Sequence, residues 1–544
     1  MREIALIGLR LLGLAFLLGS AGCVHSPPAM SLDEAKQYAA SFQTNQVEMP
    51  PRNINDIRKV LEQSRAVDPQ EIIRQQDLAN QEPSTGMNDD QLASFYFKRG
   101  KAAHALGRAA QELHDYQLAV KYGEKSRFIY LDQALWFCGM AEKEGGNFSQ
   151  AVASMTKAAK LTNKKGSQAI KYAVLARIHA KGGDLPTGRK YLAKAQHMLN
   201  MVLQHNRNLS PYQKAKIQAI IWSMKGTLLN VEGKAVEAET FHRKAIALFE
   251  PYKNANGGIE GADISRNNGS YTATLLILTE NLIQQGKLVD AEITARKAVA
   301  FALSANGRYA SNSIQAVDKL TTVLIAQGRF QEAEVLARAN LDSIKKIGIE
   351  PYSLRYALAQ MRIANALLAQ KKWRQAISIY DQIKTDLISK DPESYQTRIS
   401  NNINIALALN KAGRGQEALE LVKPRLENLV AHSQERHYKV AEFRAAYGIS
   451  LATIGQTREA MEQFQQAIPI LIKKGMGQEG DIANTGKAVR LGFILEAYID
   501  LLHAIRGTDY EKEMGIDAVN QSFMVADVLK RRGVQRSLAA SAAR

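Results

Sequence analysis

The densest chemistry in this sequence is electrostatic. Between Ala151 and Ile217 thirteen Lys and Arg residues stand against one acidic residue, Asp184, in a chain whose formal net charge is +18. Lys164, Lys165, Lys171, Arg177, Lys181, Lys190 and Lys194 form the centre of that block and are the candidate ligand-binding residues. A field of one sign draws anionic partners and weakens as salt rises. Lipid headgroups, acidic polysaccharide or an acidic protein segment fit it; nucleic acid is not expected as a partner of an exported chain. Lysines at helical spacing also fit a plain solvated surface, so the block alone does not decide between the two.

Groups able to make or break bonds are harder to find. Gly475 to Gly480 spells GxGxxG, but it follows a helical pattern and no strand precedes it, so the cradle for a dinucleotide pyrophosphate cannot form there. His432, Glu435 and His437 lie close together without a spacing that puts two imidazoles on one helical face, and no metal site is expected. Cys138 falls where a helix needs a small apolar residue, with no His nearby to activate it. The expectation is a non-enzyme without cofactor or metal.

The elements that position these residues are helical. The 544 residues are 46% hydrophobic and 23% charged, with only 13 Pro and 37 Gly, which excludes disorder and collagen and favours helices over many short strands. At the amino terminus, residues 1–22 carry Arg2 and Arg10, then an apolar stretch from Leu11 to Leu18 that is too short to span a bilayer. Ser20, Ala21 and Gly22 lead into Cys23, an order that resembles the lipobox of bacterial lipoproteins, although Ser20 stands where Leu is usual. The resemblance implies a signal peptide over 1–22, a lipid on Cys23, and a cell-envelope location. Val24 after the Cys favours the outer membrane, facing the periplasm. Residues 23–30 then read as a tether, and 31–94 as an acidic helical segment opened by a capping box from Ser31 to Glu34 and able to fold back on the basic block.

From residue 95 to 485 one phrase recurs: a polar or Gly-containing turn, then a helix with Ala at a fixed place. That Ala is Ala151, Ala238, Ala291, Ala333, Ala376, Ala418 and Ala460, the last four separated by 43, 42 and 42 residues. Around it stand small and bulky partners: Gly139 with Ala151; Trp222 and Gly226 with Ala238; Gly448 with Ala460 and Phe464. This pattern resembles tetratricopeptide repeats, whose signature pairs a small residue in the first helix with Ala and an aromatic in the second. The resemblance implies an all-α tetratricopeptide-type α-solenoid, a right-handed superhelix of antiparallel helix pairs with its concave surface lined by first helices. A period near 42 rather than 34 adds roughly one turn to each helix. It resembles the kinesin-light-chain type, whose Asn ladder is represented here by Asn365 and Asn404, candidates for hydrogen bonds to a ligand in the groove.

Residues 486–544 read as capping or connecting helices, and from Phe523 onward they resemble the segment joining repeat arrays to the caspase-like CHAT domain. Two functional expectations result. One is a non-catalytic envelope scaffold binding a protein or peptide in its groove; the other is the sensing arm of a CHAT-type cysteine peptidase whose catalytic domain is absent from this chain.

Overall fold

A computed structural model describes residues 53–63, 69–144, 147–182, 184–205, 209–252, 264–432, 438–476 and 485–542. Cys23, the signal and tether segments, the Ser31 cap, Gly477 and Gly480 and the side chains of His432, Glu435 and His437 lie outside what is described. Every regular element among the described residues is helical, so the protein is an all-α, tetratricopeptide-type solenoid.

Among the described residues, α1 (Asn55–Gln63) and α2 (Pro69–Asn80) come first. Nine antiparallel pairs follow among the described residues. They are α3 (Asp89–Leu106) with α4 (Ala109–Gly123), α5 (Leu131–Glu144) with α6 (Phe148–Leu161), and α7 (Lys165–Lys181) with α8 (Leu185–His205). Next come α9 (Pro211–Val231) with α10 (Ala235–Ala247), α11 (Ile264–Gln284) with α12 (Leu288–Asn306), and α13 (Ser311–Ala326) with α14 (Phe330–Lys346). Then α15 (Leu354–Ala369) pairs with α16 (Trp373–Ile388), α17 (Ile403–Lys411) with α18 (Gly415–His432), and α19 (Tyr438–Thr453) with α20 (Thr457–Met476). The end is α21 (Thr485–Ile505), the short α22 (Asp509–Glu513) and α23 (Ala518–Ala542).

The recurring phrase has a direct structural cause. In six pairs the turn has three residues, and its middle residue adopts a left-handed conformation, as Gly328 does at φ 79°. Such a φ closes a helix by turning its last carbonyls back toward the chain. The third turn residue then lends its carbonyl to the Ala: Ala333 N–H donates to Arg329 O at 3.0 Å, and Ala376 N–H to Lys372 O at 3.1 Å. Because the helices diverge only after the turn, the residue in this first turn sits where the two axes are closest. Ala151, Ala238, Ala291, Ala333, Ala376, Ala418 and Ala460 all have 0% exposure. Glycine in the first helix serves the same approach: a methyl added at Gly139 would stand 2.4 Å from Met155 Cγ, and one at Gly226 2.6 Å from the His242 ring. Phe464, fully buried, packs over Gly448 in the same way, while Trp222 is half-buried at the edge of the core.

A second periodic device ties each pair to the next. Glu239, Glu292 and Glu334, each following its Ala, accept hydrogen bonds from Gln285, Gln327 and Gln370 at 2.9, 2.8 and 2.8 Å, at the end of the next first helix. Lys287, Arg329 and Lys372, two residues on, face the same carboxylates at 2.7, 2.9 and 3.4 Å. The Gln-x-Lys/Arg ending and the Ala-Glu opening are thus two halves of one clip.

First helices touch the first helices of neighbouring pairs, whereas second helices chiefly touch the next first helix, so the stack curves toward its first helices. The curvature brings distant pairs together. Arg108 makes a two-pronged ion pair with Glu350 (2.8 and 3.2 Å), and Arg355 donates to His104 O at 3.2 Å, joining α3–α4 to the start of α15. Helix α1 packs on α12, where Arg296 holds Asp56 at 2.5 Å and Asn53 O at 3.0 Å, and Arg308 donates to Leu61 O at 3.0 Å. Among the described acidic residues of this segment, Asp56 pairs with Arg296, Glu82 with Arg99, and Glu62 and Glu71 with arginines of their own helices, so these pairs do not reach the basic block that the charge suggested. A buried guanidinium such as that of Arg296 needs acceptors more than solvated lysines do.

Candidate ligand-binding surface

Among the described residues three cavities open among the first helices. The first, about 770 Å³, lies between α5, α7 and α9 and is bordered by Trp136, Phe137, Lys164, Lys165, Lys171 and Lys216. Lys164 and Lys165 are exposed at its rim, while Lys171 is buried and bound to Asp132 at 2.7 Å. Burial lowers the pKa of Lys216.

The second, about 420 Å³, gathers residues from α7, α11, α13, α14 and α15. Leu276, Ile277 and Leu358 supply apolar surface, and Leu358 is 39% exposed there. Charge surrounds it. Glu280 stands 3.7 Å from Lys181 and 3.6 Å from Lys319; burial opposes its ionisation, but the two lysines outweigh burial and hold its carboxyl below the usual range. Asp318 accepts two hydrogen bonds from Arg362, at 2.7 and 3.1 Å, and its charge raises the pKa of that guanidinium. Arg355 reaches only the His104 carbonyl by hydrogen bond, and no hydrogen bond or ion pair among the described residues holds Arg177. Burial lowers the pKa of both, as expected for cations removed from water without a carboxylate in contact.

The third, about 330 Å³, lies between α17, α19 and α21, bordered by Leu407, Asn410, Ile449, Phe493 and Leu501, and is the least charged.

These positions divide the basic block. Lys164, Lys165 and Lys171 belong to the first cavity, Arg177 and Lys181 to the second with its Glu280, and Lys190 and Lys194 lie exposed on α8, a second helix, where Lys194 Nζ rests 5.2 Å from the Tyr191 ring. Helical geometry separates them, since a run of sequence spanning two antiparallel helices feeds opposite surfaces. Asn365 and Asn404 come together: Asn404 Nδ2 donates to Asn365 Oδ1 at 2.8 Å, which also accepts from Tyr380 at 2.9 Å. The amide pair joins α15 to α17, and Asn404 Oδ1 is buried without a partner among the described residues.

Lys319, Arg355 and Arg362 escaped the sequence reading because the first comes from α13 and the other two from α15, in different repeats from the basic block. A local signal did exist: Arg355, Leu358 and Arg362 recur at helical spacing within an otherwise buried helix. Cys138 is buried at 3% exposure, and burial beside Glu142 pushes its thiol up to about 12. Among the described residues no cluster of His, Cys, Asp and Glu could hold a metal ion, and no helix is long and apolar enough to cross a membrane.

No protein-family model and no curated protein matches the chain. Among solved structures it is similar to a Rap protein complexed with competence and sporulation factor, at 10% identity over 76% of this chain and 100% of that one, with a TM-score of 0.42. BtubC from P. vanneervenii is similar at 16% identity over 46% and 91%, with a TM-score of 0.33. The nearly identical TPR-like repeats of a kinesin light chain from Podosopora anserina stand at 19% over 38% and 97%, with 0.31. At these values the likeness adds nothing to what the geometry shows.

Proposed function

We propose that the protein is a non-catalytic scaffold that binds a protein or peptide segment along the surface of its first helices. The observation that carries this reading is the set of three cavities, all bordered mainly by first helices and all combining apolar floors with polar rims. Pockets of that make-up take side chains from an extended or helical segment, with no bond made or broken. Selection of a displayed random-peptide library on the whole chain tests it. Selected peptides lose binding on Phe137→Glu or Leu358→Glu and keep it on Val236→Glu or Val335→Glu, which lie exposed on second helices. The opposite pattern removes the reading.

The lipobox-like run ending at Cys23 supports a lipid-anchored envelope location, and detergent phase partition of the wild type against Cys23→Ser reads it. The sensing-arm alternative draws on α23, where Phe523 is 72% and Met524 56% exposed. An open reading frame encoding His and Cys beyond codon 544 would favour it, and a stop codon would favour the scaffold.

A further inference from the structure

We infer that the cavity between α7, α11, α13 and α15 recognises an acidic peptide segment carrying an aliphatic side chain, with Arg177 and Arg355 as the receiving cations and Leu358 as the apolar contact. The inference rests on the scaffold reading and deepens it by naming one cavity and one chemistry.

Charge complementarity commits the occupant. Five cations, Arg177, Lys181, Lys319, Arg355 and Arg362, surround two carboxylates, Glu280 and Asp318. Both carboxylates are already shared: Glu280 between two lysines, Asp318 with the fork of Arg362. Arg177 and Arg355 therefore have no carboxylate within ion-pair distance among the described residues, only the more distant charges of Glu280 for the first and of Glu112 and Glu144 for the second, although both border the same space. A guanidinium stays ionised at any physiological pH, so a partly buried one with no carboxylate in contact raises the free energy of the empty protein. An incoming carboxylate relieves that strain and gains a two-pronged hydrogen bond. Water is a poor occupant of the remainder, because Leu276, Ile277, Ile314 and Leu358 line it. A small inorganic anion would satisfy the arginines and leave that apolar surface wet. A leucine-like side chain flanked by Asp or Glu satisfies both. A nucleic-acid strand would bring phosphate on every unit to a site holding two carboxylates, and is disfavoured.

The test uses fluorescence polarisation of the whole chain with a labelled octapeptide of two central leucines flanked by aspartate and glutamate. Its controls replace the acidic residues by lysine, or the leucines by glycine. The expected result is saturable binding of the acidic leucine peptide, weakening steeply between about 50 and 300 mM salt, and at least about tenfold weaker binding for each control. Arg177→Glu and Leu358→Glu, checked for unchanged thermal unfolding, each weaken binding at least about tenfold, with Arg177→Gln intermediate. Lys164→Glu with Lys165→Glu leaves it unchanged. If that lysine pair abolishes binding while Arg177→Glu does not, the cavity assignment fails and the scaffold reading stands. Equal binding of the glycine or lysine peptide overturns the proposed chemistry. Absence of binding by the wild type at low salt overturns the inference, while peptides selected from the random library keep the broader reading alive.

Discussion

At the scale of single residues, the repeat signature is a list of places where two helices are too close for anything else. His242 marks a departure, because it stands where the pattern calls for an apolar residue, 1% exposed against Gly226, with Nδ1 unpartnered among the described residues. Burial depresses its pKa to about 4. Its folded pKa lies below the unfolded value near 6.5, so its contribution is full above that pH and is lost as pH falls through the interval toward 4. Up to roughly 3 kcal/mol should disappear over that range. Denaturant unfolding of wild type and His242→Leu from pH 7 to 4 checks this, since the variant lacks the His-linked loss; parallel curves refute it. Lys371 is the other exception, holding at φ 62° the left-handed position that glycine fills in the related turns. Lys371→Gly should raise stability by about 0.5–1 kcal/mol, read as a higher denaturant midpoint, because the relief of left-handed strain exceeds the added chain entropy. An unchanged or lower midpoint means that no strain is held there.

Between elements, the clips of Glu with Gln and Lys or Arg set the spacing of neighbouring pairs, and burial ranks their importance. The side chain of Glu292 is 1% exposed and binds Gln327, Arg329 and Arg296, whereas that of Glu334 is 15% exposed and faces a half-exposed Lys372. Glu292→Ala should cost about 3 kcal/mol, because it leaves buried donors unpaired. For Glu334→Ala about 1 kcal/mol is expected. Equilibrium unfolding of the two variants gives the order, and a Glu334 effect equal to or above that of Glu292 contradicts the ranking. The clip was open to reading in the sequence, since QGK and QGR recur at the ends of first helices and Ala-Glu at the starts of second ones. It went unread because its halves come from different repeats.

For the whole molecule, curvature adds contacts that a stack of nearest neighbours lacks. Arg108 and Glu350, 16% and 17% exposed, connect the first pair to the start of α15 across 242 positions of sequence. A double-mutant cycle on Arg108→Ala and Glu350→Ala should return a coupling of about 1 kcal/mol. The same variants should scatter X-rays with a larger radius of gyration as the turn loosens. A coupling near zero with unchanged scattering would show that other contacts hold the turn. The second cavity belongs to this scale too, because its arginines come from α7 and α15 and meet only through the curvature.

The sequence alone determined the helix pairs, their period and the identity of the residues at the closest approach of helices. Those properties follow from local backbone geometry and from periodic burial, both written in neighbouring residues. The charge of Lys164 and of Arg177 was equally visible there. What only the tertiary structure decided was which charges share a space: it sent Lys164 and Arg177 to different cavities, brought Arg177 and Arg355 to one cavity, and gave Asp56 to Arg296. Superhelical curvature sets these meetings, and it accumulates from small rotations between many pairs, so no single stretch of sequence carries it.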